Sequence, residues 1–66
     1  MFKVLISNND GTINDAYYRD TLLEAEKIAK KEVVDGINNK TTGDIISENK
    51  LVKKFKNIND RAVELK

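Results

Sequence analysis

Four lysines fall between positions 50 and 56: Lys50, Lys53, Lys54 and Lys56, with Phe55 among them. A basic run around an aromatic side chain can neutralise phosphates and stack on a base. No arginine lies in the run, so bidentate readout of a base edge is missing. Read as a helix, the segment spreads its lysines around the polar face and turns Phe55 into the core. Read as a strand, it puts Lys54 and Lys56 on one face and Lys53 with Phe55 on the other. Neither reading sets Phe55 beside a flat basic platform. A solvated charged face is therefore the plainer reading, and nucleic-acid binding the sharper one.

Tyr17 and Tyr18 are adjacent in a segment that reads as a strand, so their rings point to opposite sides of the sheet. One packs under a helix. The other stays exposed, where tyrosine is a frequent hot spot of protein interfaces. Two ordinary strand tyrosines are the plainer reading.

Carboxylates recur as Asp15/Asp20, Glu24/Glu26 and Asp60/Glu64. A hydrolase needs two carboxyls facing each other across a cleft, one with a perturbed pKa. These fall on faces expected to be exposed, in a chain with little room for a cleft. The stretch from Ile6 to Tyr17 imitates a calcium loop, with Asn8, Asp10 and Gly11 at its third, fifth and sixth positions. Its first and twelfth positions are Ile6 and Tyr17, where an EF-hand needs an oxygen ligand and a bidentate glutamate. A hairpin turn accounts for the same residues. The chain has no Cys and no His. Disulfides, the usual zinc sites, thiol nucleophiles and imidazole bases are thereby excluded. No phosphate-cradling Gly-rich loop is present. The expectation is a non-enzymatic protein without cofactor or metal.

The elements that must position these residues follow from periodicity. Phe2, Val4 and Ile6 alternate with polar or partly covered positions and read as a strand over 2–7. Asn8-Asn9-Asp10-Gly11 is a turn signal, with Asp-Gly suited to the positive φ of a tight hairpin. A second strand follows over about 12–19. Thr21-Leu22-Leu23-Glu24 has the form of a capping box, and Leu22, Ala25, Ile28, Ala29 and Val33 make a stripe at helical spacing. That predicts a helix over 22–35, with Glu26 and Lys30 paired on its surface and Gly36 capping its end. Residues 37–43 read as a loop, and Ile45-Ile46 as the centre of a short third strand.

The tail supports two readings. Leu51, Phe55, Ile58, Ala62 and Leu65 recur at spacings of 4, 3, 4 and 3, the pattern of an amphipathic helix. Its stripe packs on the core or forms a dimer seam. The alternative turns at Glu48-Asn49 and pairs 51–55 back as a fourth strand, giving ββαββ. Asn57 and Asn59, weak helix formers, favour that alternative.

The fold expected is α+β: an N-terminal antiparallel hairpin, a central helix on a small three-stranded sheet, and a C-terminal amphipathic helix. Sixty-six residues make one domain. Such a chain buries only about 60% of its unfolded surface, so its core is thin. With net charge +1, there is no global pull toward nucleic acid or anionic lipid. The balance shifts along the chain, however: residues 1–36 hold five basic and seven acidic side chains, residues 37–66 seven and four. No apolar run suits a membrane span or a signal peptide, so cytoplasmic residence is expected. Lys, Asn and Ile usage points to an AT-rich source such as a low-GC bacterium or its phage. The function expected is binding to another protein, as a phage or mobile-element regulator or inhibitor. Nucleic-acid binding through Lys50–Lys56 is the alternative, and a homodimer is a third arrangement.

Overall fold

The computed structural model describes residues 1–35 and 40–65. The elements run β1 (Phe2–Asn8), β2 (Ile13–Arg19), α1 (Leu22–Asp35), β3 (Lys40–Ser47), β4 (Lys50–Ile58) and β5 (Arg61–Leu65). All strands join one antiparallel sheet in the order β2-β1-β3-β4-β5. The α+β class, the N-terminal hairpin and the central helix stand as expected.

The first hairpin closes where Asn8-Asn9-Asp10-Gly11 falls. Asn8 N–H donates to Thr12 C=O at 2.9 Å, and Gly11 N–H to Asn8 C=O at 3.0 Å. Gly11, at φ 89°, takes the positive value, and Asp10 does not. The loop is thus a three-residue form that ends on a left-handed glycine, so of the Asp-Gly pair only the glycine supplies the positive φ. Asp10 instead accepts from the Thr12 N–H and hydroxyl, at 2.9 and 2.6 Å.

Helix α1 starts at the expected capping box. The Thr21 hydroxyl accepts the Glu24 N–H at 3.2 Å and donates to the Glu24 carboxylate at 3.0 Å. Ala25, Ala29 and Val33 are fully buried, with Leu22 and Ile28 packed at the margin. The expected Glu26–Lys30 pair is replaced by tertiary partners: Glu26 meets Lys53 at 3.3 Å, and Lys30 lies 5.5 Å over the Phe55 ring. The expected Gly36 cap and positions 37–39 of the expected loop lie outside the described residues.

Two expectations are corrected. First, residues 40–43 are strand rather than loop. A Cβ at Gly43 would sit 3.0 Å from Val33 Cγ2 and 3.4 Å from Ala29 Cβ. This glycine is a close-approach position that lets α1 lie down on β3.

Second, the tail is not a helix. It forms β4 and β5, so the sheet has five strands instead of three, and the fourth-strand alternative holds with one strand more. Two-residue turns close both C-terminal hairpins, with positive φ at Glu48 and Asn49 (53° and 64°) and at Asn59 and Asp60 (54° and 64°). That is the type I′ geometry whose twist matches paired strands. The apparent helical stripe divides between faces. Phe55 enters the core and Ala62 packs against it, while Leu51, Ile58 and Leu65 remain exposed. Asn57, a poor helix residue, has a specific task in the strand. Its Nδ2 donates to Val33 C=O at 2.9 Å, satisfying a carbonyl of the last helical turn. Its Oδ1 accepts the Asp60 N–H at 2.9 Å, which holds the β4–β5 turn.

The core is Val4, Ile6, Ala25, Ala29, Val33, Ile45 and Phe55. It lies between α1 and one face of the sheet. Among the described residues no second layer covers the other face, and no helix is long and apolar enough to cross a membrane.

Candidate functional site

Strand register assigns every side chain to one of the two faces. Val4 pairs with Tyr17 and Ile45, and Ile45 with Lys53, so these face the helix. Lys3 pairs with Tyr18 and Ile46, and Leu5 with Ala16 and Asp44, so these lie on the bare side. Asp44 pairs with Lys54, and Lys54 with Leu65; Lys56 pairs with Val63, and Ile58 with Arg61, extending the bare face to the β5 edge. A bulge between Ile45 and Ile46 brings Leu51 opposite Ile46, with Val52 beside it.

The bare face is neither polar nor apolar throughout. Tyr18 is 55% exposed, Leu51 57% and Val52 41%; Ile58, Val63 and Leu65 are also exposed. Leu5 and Ile46 are half-buried between them. Lys3, Lys54, Lys56 and Arg61 bring four positive charges to this face, against the carboxylates of Asp44 within the sheet and Glu48 at the β3–β4 turn. Lys54 meets Asp44 Oδ1 at 3.7 Å, too long for a hydrogen bond, and that buried oxygen has no hydrogen-bond partner. An antiparallel sheet with a solvated second face ordinarily shows clean polar alternation there. This one carries large apolar side chains at a rim and centre set with cations.

The candidate residues therefore separate. Tyr17 and Tyr18 point to opposite sides as expected. Tyr17 packs against the core margin beneath α1, and Tyr18 stands on the bare face. The lysine cluster is divided. Lys53 faces α1 and is held by Glu26 at 3.3 Å and Glu64 at 3.7 Å. Lys54 and Lys56 are on the bare face, and Lys50 flanks the β3–β4 turn opposite Ser47. Arg61 and Val63 complete the surface but were not among the residues singled out from sequence, and Leu65 was singled out only as part of the helical stripe. The signal that would have found them is Asn59-Asp60, a hairpin turn followed by the alternating Arg61-Ala62-Val63-Glu64-Leu65.

The carboxylates of the three sequence pairs are largely engaged in structural contacts. Glu24 serves the helix cap, while Glu26 and Glu64 hold Lys53. Asp15 accepts from the Tyr17 hydroxyl at 2.8 Å, and that hydroxyl also reaches Glu32 at 3.1 Å. The Asp15 hydrogen bond first, then burial and Glu32, push the Tyr17 pKa up to about 12 from its ordinary 10.0. The neutral phenol is thus favoured by the fold. Its contribution to stability is complete below pH 10 and is lost as pH rises through about 12. Tyr17→Phe should be the less stable chain in urea at pH 8, with the gap closing or reversing toward pH 12. A gap that does not change with pH would contradict this account.

Among the described residues no group of three Asp or Glu could hold a metal ion. A shallow cleft of about 190 Å3 on the bare face is lined by Met1, Lys3, Tyr18, Ile46, Glu48 and Asn49. Sites that enclose small molecules usually run from about 300 Å3 upward, so the cleft is better matched to a side chain of a larger partner. Comparison with protein-family models, with curated proteins and with solved structures finds no match to this chain.

Proposed function

We propose that this chain is a non-catalytic module that binds another protein through the bare face of its sheet. The observation that carries this reading is the composition of that face. It presents Tyr18, Leu51, Val52, Val63 and Leu65 exposed on rigid strands, interspersed with Lys3, Lys54, Lys56 and Arg61. Apolar anchors interspersed with one sign of charge suit a protein surface whose apolar side chains are interspersed with acidic ones. Such a module works in the cytoplasm by occupying a surface, as a regulator or inhibitor does. A face-to-face homodimer is disfavoured, because it would oppose two positive faces.

The test is affinity capture with three immobilised chains: wild type, Tyr18→Ser with Lys56→Glu on the bare face, and Lys27→Glu with Lys31→Glu on the outer helix face. A specific protein retained by the first and third and lost by the second is the expected result. Equal retention by all three, or none by wild type, would remove the proposal.

Nucleic-acid binding is the second reading, favoured by Lys54, Lys56 and Arg61 sharing one side of neighbouring strands. It requires affinity that falls steeply with salt. A flat gel-shift titration at low salt would eliminate it.

A further inference from the structure

The two edges of the sheet are finished differently. In β2, Asp15 Oδ1 accepts the Ala16 N–H at 2.8 Å, and the Arg19 guanidinium donates to Tyr18 C=O at 2.7 Å. Ala16 and Tyr18 are two residues apart, so their backbone groups point to the same side, away from the ladder with β1. The strand's own side chains thus occupy donor and acceptor positions that an added strand would need. Natural sheets blunt exposed edges by such means.

At β5 the corresponding groups are open. The type I′ turn at Asn59-Asp60 makes Ile58/Arg61 the closing hydrogen-bonded pair. Alternation along the ladder then makes Lys56/Val63 and Lys54/Leu65 the bonded pairs. Ala62 and Glu64 are left with N–H and C=O directed outward. Among the described residues no side chain engages those groups. Both strands are edges of the same sheet, yet β2 has one outward donor and one outward acceptor engaged by its own side chains, and β5 has none among the described residues.

We infer that β5 is a docking edge, where an extended segment of the partner protein adds antiparallel as a sixth strand. The inference rests on the protein-binding reading above and specifies the partner's chemistry. On the bare side, the incoming strand meets Arg61, Val63 and Leu65, with Lys56 beside Val63. Among the described residues neither Arg61 nor Lys56 has a carboxylate within ion-pairing distance. The segment therefore carries an acidic residue opposite Arg61 and β-branched apolar residues opposite Val63 and Leu65. A second copy of this chain does not fit. Antiparallel self-pairing about Val63 would set Arg61 against Leu65 and bring the two basic faces side by side.

A chain of 66 residues is within reach of total synthesis, which permits one backbone change without touching any side chain. N-methylation at Glu64 removes an outward N–H and adds bulk at the edge, while the ladder to β4 and the Lys53 ion pair remain. Glu64→Pro is the expressed counterpart, which also removes the Glu64 carboxylate from Lys53, so Glu64→Gln is its side-chain control. The probe is the blocked peptide Ile-Thr-Val-Thr-Glu, with Ile-Thr-Val-Thr-Lys as its charge-reversed control, titrated to millimolar concentration. Hydrogen exchange and backbone NMR shifts are the readouts. The expected result is slowed exchange at Ala62 and Glu64 with the first peptide. In the N-methylated chain, which has no amide hydrogen at Glu64, the protection should be lost at Ala62; it should be weaker at both positions with the control peptide and absent at Ala16.

Shifts confined to Leu5, Tyr18 and Ile46 in both chains would overturn the edge and leave the face reading standing. No response to either peptide would also overturn the edge; retention of the captured protein by the N-methylated chain would then show that the face reading survives alone. Dimer mass in sedimentation that disappears on N-methylation would replace the partner with a second copy and overturn the stated occupant.

Discussion

Phe55→Ala should leave the chain unfolded or nearly so. Among the described residues Phe55 is the largest fully buried side chain, at 1% exposure, and belongs to a core with six other buried apolar side chains. Removing a buried aromatic ring costs about 3–5 kcal/mol through lost burial and the cavity left behind. At roughly 0.05–0.15 kcal/mol per residue, a domain of this size has a total of only about 3–10 kcal/mol. The substitution therefore removes much or all of the stability, and neighbours cannot collapse into the space without pulling α1 off β4. Phe55→Leu keeps most of the volume and should fold, with a loss nearer 1 kcal/mol. Urea unfolding followed by circular dichroism separates the cases. A Phe55→Ala midpoint close to that of wild type would mean that Phe55 does not anchor the core.

The second large effect is expected at Gly43, from crowding rather than a void. The first added carbon would meet Val33 Cγ2 at 3.0 Å and Ile6 Cδ1 at 3.4 Å. Gly43→Ala forces α1 to rise by a few tenths of an ångström, while Gly43→Val adds two further methyl groups in the same space. Overpacking of this kind costs typically about 1–3 kcal/mol, and the valine should lie at or above the top of that range. Strand propensity would favour valine, so destabilisation identifies the helix contact as the cause. A double-mutant cycle sharpens the test. Val33→Ala removes the clashing methyl, so Gly43→Ala should cost less in that background than alone. Strict additivity, or a Gly43→Val chain as stable as wild type, would count against the close-approach account.

The N-terminal half was legible because its signals are local and consistent with each other. Phe2, Val4 and Ile6 alternate, Gly11 supplies the left-handed turn residue, and Thr21 with Glu24 marks the helix start within one turn of its stripe. The tail misled because Leu51, Phe55, Ile58, Ala62 and Leu65 coincide with helical spacing while serving different faces of two strands. Periodicity cannot register a chain reversal inside the window it counts over, and Asn59-Asp60 reverses the chain in the middle of that one. Gly43 fell at the end of the segment read as a loop, because a glycine required by an approaching helix looks, in sequence, like one required by a turn. For the candidate surface, the opposite orientation of Tyr17 and Tyr18 followed from the period of two. The division of the lysines followed from the same period under the strand reading of the tail. The ion pairs that hold Lys53 did not, because Glu26 and Glu64 lie on other elements.

The strand order also determines when each part of the sheet can close during folding. Strands β3, β4 and β5 succeed one another through two-residue turns, so their pairing brings together residues near in sequence, which is the fast kind of contact to form. Strand β1 is synthesised first yet sits between β2 and β3, so one of its flanks must wait until the chain has passed the helix. The early hairpin is the half exposed to misassociation on the ribosome, and the arrival of β3 is the step that shields it.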